Sequence, residues 1–370
     1  MKKLLIVGCT STVGGIETLF KGLFEIKNDC FDISFLCFDN ECAFSDIYKK
    51  NDYKIIVLPS RRKNPLLFNK NIKTFFRTNT DFDYIWVNTS STSMYQIQYY
   101  GKKFTRAKII THSHGTNFDS NSGKLLYCLN RFLGVINRRK VIKSTDLFFA
   151  CSLKAGIALF GEENKEKIQI IRNGIDAEKF QYSQENREKL REELHIKNDT
   201  YAVAMVGRLS EQKNTIRGID IFNSIIQEYK NAQLLIVGEG KLRQTVENRV
   251  NTLKLQEHVQ FLGLRNDVHE LFSAIDLLLM PSLFEGLPLT AIEAQAAGCP
   301  CVLSDSITKE VDIGGTVRFM DLRADNTKWA RQILEVLNSY EHGNRKEGVR
   351  IVRIGKYDKK DTLKFIETFL

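Results

Sequence analysis

Two cations stand close together where one apolar stretch of the sequence ends. Arg208 and Lys213 lie in the segment Gly207–Asn214, directly after Tyr201–Val206, which predicts a buried strand. A guanidinium can bind two phosphate oxygens in parallel, and an ammonium acts as a compact point charge. The pair therefore suits a group on which negative charge develops, such as a departing diphosphate. A solvated turn with two surface cations is the alternative, and this stretch alone does not decide between them.

A second pattern surrounds the predicted start of a helix. Pro288 suits the first helical turn, where a missing N–H costs nothing, and the alanine-rich residues 291–297 propagate the helix. The unpaired N–H groups around Gly286–Leu289 predict an anion site there. Glu285 precedes the helix and Glu293 lies about one turn inside it. Carboxylates are poor phosphate ligands but accept hydrogen bonds from sugar hydroxyls, so we expect them to bind sugars on either side of a diphosphate. For Glu293 alone, an exposed helix position is the alternative.

Two glycines follow the first predicted strand. Gly14 and Gly15 carry no side chains, so we expect their loop to approach a diphosphate closely. The loop lacks the lysine and hydroxyl residue that complete a nucleotide-triphosphate P-loop, so the sequence does not predict that kind of site.

The elements that position these residues alternate between strands and helices, which indicates an α/β fold with parallel sheets. One series of predicted strands is Leu4–Gly8, Ile33–Phe38, Ile55–Leu58, Tyr84–Asn88, Lys108–Thr111 and Leu147–Ala150. The pattern starts again near residue 200 with Tyr201–Gly207, Gln233–Val237, Val259–Leu262, Leu277–Met280 and Cys301–Leu303. We therefore predict two Rossmann-like domains facing a central cleft, residues 1–180 and 181–370, with the last helix able to pack on the first domain. Ligands bind at the carboxyl ends of such strands, so the cleft is the expected site.

Taken together, these motifs resemble the retaining glycosyltransferase family 4, which has the GT-B fold. The resemblance rests on the pair Glu285 and Glu293 with seven residues between them, on Gly207 and Arg208, and on Lys213. Further matches are Gly14–Glu17, Asn173–Asp176 and Phe261–Gly263. The run Phe284–Cys301 is particularly similar to enzymes that build bacterial capsular and exopolysaccharides.

The resemblance implies a role for each motif residue. Arg208 and Lys213 would neutralise the diphosphate of a nucleotide-sugar donor. Glu285 would hold hydroxyls of the transferred sugar, and Glu293 those of the ribose. Together with a histidine, His114, the residues Glu285, Arg208 and Lys213 would form the catalytic group.

The same resemblance assigns contacts to backbone groups. The backbone at Leu264 and Arg265 would read the nucleobase, which we expect to be uracil. The amides of Gly286, Leu287 and Leu289 would contact phosphate and sugar.

The histidine comes from the segment Thr111–Gly115. His114 falls where such enzymes have a histidine near the donor sugar, and it stands beside Gly115 at the strand end. We expect His112 to lie on the opposite face if the strand continues, and we favour His114 because it stands beside Gly115. A structural role is the alternative for His114.

The implied activity is transfer of a hexose-type sugar from a UDP-sugar to a saccharide or an undecaprenyl-type lipid-linked acceptor, with retention of anomeric configuration. No metal cofactor is expected, because the two cations and the helix amides would neutralise the leaving group. Asp81–Asp83 resembles a metal-binding DxD motif but precedes a strand instead of following one. Competing interpretations are a UDP-sugar 2-epimerase, a catalytically inactive GT-B assembly module and a basic nucleic-acid-binding protein. We expect no nucleic-acid partner, because no groove-reading helix or aromatic-interleaved basic patch is clear.

Composition places limits on the partners and the compartment. Of the net charge of +10, residues 1–176 contribute +11 and the remainder −1, so the basic half should face something anionic. Asn121–Ser144 mixes basic and apolar residues, which predicts either a helix on an anionic membrane or a core-facing helix with a solvated basic side. No apolar stretch approaches the roughly 18 residues that span a bilayer. The eight cysteines lack zinc spacing and are expected to be reduced. We expect a cytoplasmic protein, with peripheral contact at the inner face of the cell membrane.

Overall fold

The computed structural model describes residues 1–12, 14–24, 30–115, 124–339 and 342–370, and it describes side chains except those of 124–133 and 342–344. The chain forms two compact units, Met1–Gly174 with Thr362–Leu370, and Ile175–Asp361. The division thus falls before Ile175 instead of at residue 180. The reason is that the Ile175 N–H donates to the Tyr357 carbonyl at 2.8 Å, which ties this residue to the second unit.

The first unit is built on a seven-stranded parallel sheet. Its strands are β1 (Lys2–Val7), β2 (Phe31–Phe38), β3 (Lys54–Leu58), β4 (Tyr84–Thr89), β5 (Lys108–Ser113), β6 (Leu147–Ala150) and β7 (Ile168–Ile170). The order across the sheet is β3-β2-β1-β4-β5-β6-β7. The chain reverses its direction of travel across the sheet at the β1/β4 pair. The carboxyl ends of these two strands therefore open a crevice where ligands bind in such folds.

Helices cover this sheet. They are α1 (Gly15–Phe24), α2 (Ser45–Lys50), α3 (Pro65–Thr78), α4 (Gln96–Phe104), α5 (Lys124–Ser144) and α6 (Leu153–Phe160). Helix α3 shows how local sequence sets a boundary: the Asn64 side chain accepts from the Leu66 and Leu67 amides, and Pro65 occupies the first turn. The predicted helical segment 121–144 is helical from Lys124, and residues 121–123 lie outside the described residues.

The C-terminal residues complete the core of the first unit. The Tyr84 hydroxyl donates to the Leu370 carbonyl at 2.7 Å, and Lys2 Nζ donates to the same oxygen. Ile366 and Leu370 are buried among the aromatic residues of this core. The last helix, α14 (Lys359–Glu367), therefore carries the chain from the second unit into the first.

The second unit repeats the architecture with six parallel strands. These are β8 (Tyr201–Val206), β9 (Ala232–Val237), β10 (Val259–Gly263), β11 (Leu277–Met280), β12 (Cys301–Ser304) and β13 (Val317–Met320), in the order β10-β9-β8-β11-β12-β13. Its helices are α7 (Gln184–Glu193), α8 (Thr215–Glu228), α9 (Arg243–Thr252), α10 (Val268–Ala274), α11 (Leu289–Ala296), α12 (Asn326–Ser339) and α13 (Gly348–Ile354). The prediction of two Rossmann-like α/β domains is confirmed.

A buried ionic cluster ties α7 to the sheet of the second unit. Asp276 pairs with Arg187 at 2.7 Å and with Arg191 at 3.2 Å, and it accepts from the Ala202 N–H at 2.8 Å. Burial raises the pKa of Asp276, but the two guanidiniums outweigh this effect and the pKa is lowered. The carboxylate is therefore charged and paired at neutral pH.

Candidate functional site

The loops after β8 and β11 lie side by side, because β8 and β11 are neighbours at the point where strand order reverses in the second sheet. One loop carries Arg208 and Lys213, and the other carries Glu285. Both leave the carboxyl ends of their strands. The tertiary structure thus brings together two motifs that stand some 70 residues apart in the sequence.

Lys213 packs on a glycine. A Cβ atom at position 207 would lie 3.0 Å from Lys213 Cε, and Gly207 has a φ of 145°. Gly238 is equally constrained, since a Cβ there would lie 2.1 Å from the Gly207 carbonyl oxygen. The glycines allow the β8 and β9 loops to approach closely and leave room for the lysine side chain.

Lys213 forms an ion pair with Glu285. Its Nζ lies 2.7 Å from Glu285 Oε1, and the two side chains are 22% and 9% exposed. Gln212 supports the same carboxylate, because its Nε2 lies 3.2 Å from Glu285 Oε2 and 3.1 Å from the Phe284 carbonyl oxygen. The sequence indicated a role for each charged residue but not their contact, so the structure adds a direct link between the cation and the carboxylate.

Two serine hydroxyls at the end of the neighbouring strand β12 and just beyond it hold the loop that carries Glu285. Ser304 Oγ and Ser306 Oγ donate to the Ser282 carbonyl at 2.6 and 2.8 Å. Sequence reasoning gave these serines no role. Their position was a signal, since Ser304 ends β12, the strand that neighbours β11, and Ser306 lies two residues further on.

Helix α11 begins at Leu289, so Pro288 is the residue before the helix and not part of its first turn. None of the described side chains caps this helix start. Gly286 is exposed, and a Cβ added there would meet no atom within 4 Å. Gly286, Leu287 and Leu289 therefore present backbone beside the Lys213–Glu285 pair, where helix-start amides favour an anion.

Glu293 lies in the second turn of α11 and is partly buried. Burial raises its pKa to about 7, against the lowering effects of Lys179 and Lys213. At neutral pH the carboxyl is therefore close to half protonated and can both donate and accept a hydrogen bond. Lys179 was missed from the sequence, because only the tertiary fold brings it near Glu293.

The other donor contacts predicted in the second unit, at Arg208, Leu264 and Arg265, differ in their surroundings. Arg208 is exposed and, in the described part of the chain, its guanidinium has no hydrogen-bond or ion-pair partner. Arg265 is occupied, since it pairs with Asp267 at 2.5 Å and with Glu193 at 3.2 Å, and these bonds raise its pKa. Leu264 is 82% exposed. The Arg265 side chain is thus committed to protein carboxylates, which leaves backbone for any ligand.

His114, Gly14 and Gly15 lie in the first unit. Gly14 and Gly15 stand at the start of α1, and Glu17 holds the preceding loop by accepting from the Thr10 N–H at 2.7 Å. His114 Nε2 is 2.8 Å from Asn88 Oδ1. Burial lowers the pKa of His114 to about 3, so the imidazole is neutral at pH 7.

The expectation that His112 lies on the opposite face from His114 is wrong. The two ring centroids are 3.9 Å apart, because side chains two residues apart along a strand point to the same face. His112 is fully buried, and burial followed by the neighbouring His114 lowers its pKa well below the ordinary value.

Neither a metal cluster nor a membrane-crossing helix is found in the described ranges. No group of three or more histidine, cysteine, aspartate or glutamate residues there is placed to hold a metal ion. Asp81 and Asp83 are both bound to Lys3, through its ammonium and its backbone N–H. Across the same ranges, no helix is both long and apolar enough to traverse a bilayer. Seven of the eight cysteines are free thiols, and the side chain of Cys128 is outside the described set.

Comparison with known proteins extends these observations. Residues 186–347 match the family model described as glycosyl transferases group 1. The chain is 29% identical over 341 residues to the putative glycosyltransferase EpsF of Bacillus subtilis, covering 90% of this chain and 87% of EpsF. It is 26% identical over 322 residues to an Escherichia coli enzyme named UDP-Gal:alpha-D-GlcNAc-diphosphoundecaprenol alpha-1,3-galactosyltransferase, covering 82% and 79% of the two chains.

Solved structures agree on the fold. Anabaena HepE in complex with UDP superposes with a TM-score of 0.77 at 19% identity, over 100% of this chain and 99% of HepE. The two parallel α/β sheets, the matching family model and the relatives of similar length lead to one conclusion: the chain has the GT-B fold and is similar to bacterial exopolysaccharide glycosyltransferases.

Proposed function

We propose that this glycosyltransferase moves a hexose-type sugar from a UDP-sugar to a saccharide or lipid-linked saccharide in capsular or exopolysaccharide synthesis, with retention and without a metal ion. The observation that carries the proposal is the Lys213–Glu285 pair beside the start of α11. At the carboxyl ends of two neighbouring strands it combines a cation, a carboxylate that can accept hydrogen bonds from sugar hydroxyls, and exposed backbone groups. The UDP bound to HepE and the donor and acceptor in the E. coli relative's name support the choice of substrates.

Leaving-group charge is the main chemical demand. Arg208 has no protein partner among the described residues and is available to fork onto phosphate oxygens. The Lys213 ammonium carries three donors, so it can contact phosphate while it remains paired with Glu285. With the α11 amides, these groups stabilise the diphosphate as the glycosidic bond breaks, which is the work a metal ion performs elsewhere.

The two carboxylates hold sugar hydroxyls in this proposal. Glu285 points its Oε1 at Lys213, and this ion pair weakens it as a nucleophile while leaving lone pairs to accept from hydroxyls. Glu293, with a pKa of about 7, suits adjacent ribose hydroxyls, since it can donate to one and accept from the other.

Retention then follows from attack on the face that the diphosphate leaves. The acceptor hydroxyl forms a bond to the anomeric carbon as the bond to phosphate breaks, and a leaving phosphate oxygen takes the hydroxyl proton. His114 is neutral at pH 7, so its imidazole can donate one hydrogen bond and accept another. No enzyme nucleophile is required.

Helix α5 offers a surface for membrane contact. Val135 and Ile136 are 72% and 50% exposed, and they share a face with the exposed Arg139 and Lys143. The opposite face is buried through Asn137 and Val141. Exposed apolar and basic residues on one face suit an anionic lipid surface, which would bring a lipid-linked acceptor to the enzyme.

The test is nucleotide release from UDP-, GDP- and ADP-sugars, with and without acceptor, followed by NMR of the product's anomeric signal. We expect UDP release that depends on acceptor, is unaffected by EDTA and is lost in Glu285→Gln. Glu257→Gln, which changes an exposed glutamate of the same unit, is the matched control and should keep full activity. Release of UDP by Glu285→Ala at the wild-type rate, inversion at the anomeric carbon, or EDTA inhibition reversed by Mn²⁺ would each contradict part of the proposal.

A further inference from the structure

The first unit contains a cavity that none of the roles above uses. It has a volume of about 210 Å³ and opens at the carboxyl ends of β1 and β4, where strand order reverses. Its apolar wall includes Val7, Phe38, Met94 and Ile97. A cavity of about 150 Å³ accommodates benzene, so this one is large enough for a six-membered ring with substituents. None of the described lining residues carries a charge, which favours a neutral occupant.

One side chain in the wall is an amide that makes no hydrogen bond to any described residue. Gln98 lines the cavity and is only 2% exposed, and among the described residues its side chain makes no hydrogen bond. Buried amides nearly always have partners, because an unmade hydrogen bond there costs stability. Such a group facing an open volume points to a ligand that supplies both a donor and an acceptor.

The neighbouring amide shows the contrast. Asn88 also lines the cavity, but its Nδ2 donates to the Val7 carbonyl at 3.0 Å and its Oδ1 is 2.8 Å from His114 Nε2. Asn88 therefore serves the protein and fixes the His114 ring. Only Gln98 of these two has both halves of its amide available.

We propose that this cavity binds the N-acetylated pyranose at the end of the acceptor, with its acetamido group against Gln98. The acetamido N–H would donate to Gln98 Oε1, its carbonyl would accept from Gln98 Nε2, and its methyl group would contact the apolar wall. A hydroxyl in place of the acetamido group offers no methyl and a less complementary donor–acceptor pair. That the occupant is an acceptor rests on the proposed function, whereas its chemistry rests on the cavity.

Binding is tested on the purified full chain without nucleotide. Saturation-transfer NMR with the methyl glycosides of N-acetylglucosamine and glucose should show the strongest transfer at the acetamido methyl and at least a tenfold weaker affinity for the glucoside. Gln98→Leu keeps the volume and removes the amide, so we expect at least a tenfold loss of N-acetylglucosaminide binding together with a higher Tm. Gln96→Leu is the control on the same helix; it lies outside the cavity lining and should leave binding unchanged.

The outcomes separate this inference from the proposed function. Equal affinity for the two glycosides, or Gln98→Leu with undiminished binding, overturns the inference even if UDP release proceeds normally. A lower Tm in Gln98→Leu also overturns it, since it would mean that the amide is satisfied within the protein. If glycoside binding depends on Gln98 but no donor releases its nucleotide, the inference about the cavity is supported and the proposed transfer reaction is refuted.

Discussion

Replacing Lys213 by methionine removes the ammonium 2.7 Å from Glu285 Oε1 and keeps the aliphatic stem that packs on Gly207. At this distance the attraction is about 6 kcal/mol for an effective dielectric constant of about 20. Desolvation of the two groups offsets most of it. Glu285 is only 9% exposed and would keep one hydrogen bond from Gln212, so we expect Lys213→Met to lower the free energy of unfolding by about 1–3 kcal/mol.

A double-mutant cycle isolates the pair. Glu285→Gln should also destabilise, whereas Lys213→Met with Glu285→Gln should lose less than the sum, with a coupling of about 1–2 kcal/mol in urea unfolding. Arg208→Met is the matched control: it removes an exposed cation without a described partner, so stability should stay within about 0.5 kcal/mol of the parent.

Measurements of kcat test the catalytic role of Lys213 and Arg208 separately from the contribution of the Lys213–Glu285 ion pair to stability. Both Lys213→Met and Arg208→Met should lower kcat by about 10²–10³, because each removes a donor from the departing diphosphate. The reasoning is refuted if the two stability losses in the cycle are additive within about 0.5 kcal/mol. Wild-type kcat in both lysine and arginine variants would refute the role in leaving-group stabilisation.

Three further outcomes follow from the described residues. Reversing Arg139 and Lys143 to glutamate should abolish co-sedimentation with vesicles containing phosphatidylglycerol, while parent binding should weaken as salt rises; unchanged sedimentation would remove the membrane proposal. Asp276→Ala should lower the free energy of unfolding by about 3–5 kcal/mol, because it leaves two largely buried guanidiniums unpaired; a loss below about 1 kcal/mol would contradict this account. His112 and His114 have lowered pKa values in the folded chain, so the unfolded chain takes up protons first as pH falls. Their contribution to the free energy of unfolding should be present above the unfolded pKa of about 6.5 and be lost as pH falls towards about 3. In His112→Phe, the free energy of unfolding should depend less on pH over this range.

The sequence was sufficient for the elements with strong periodic patterns. The buried strands of both sheets coincide with apolar runs in the sequence. Gly207, directly after β8, has a positive φ, as expected for a glycine in the turn that ends a strand. Two strands were missed, Ile168–Ile170 and Val317–Met320. Each lies at the edge of its sheet and is short, and Arg318 interrupts the second, so the apolar pattern is weak there.

Local pattern also identified which residue types could do chemistry, because a strand end followed by glycine and cations is a feature of a few consecutive residues. Contacts between distant segments needed the fold: the Lys213–Glu285 ion pair, the approach of Lys179 to Glu293, and the cavity that Gln98 lines together with residues of three strand ends. The sequence by itself thus determined two parallel α/β units and the kinds of group at their strand ends. Only the tertiary structure decided which of those groups touch, since strand order places segments beside one another that the chain separates by many residues.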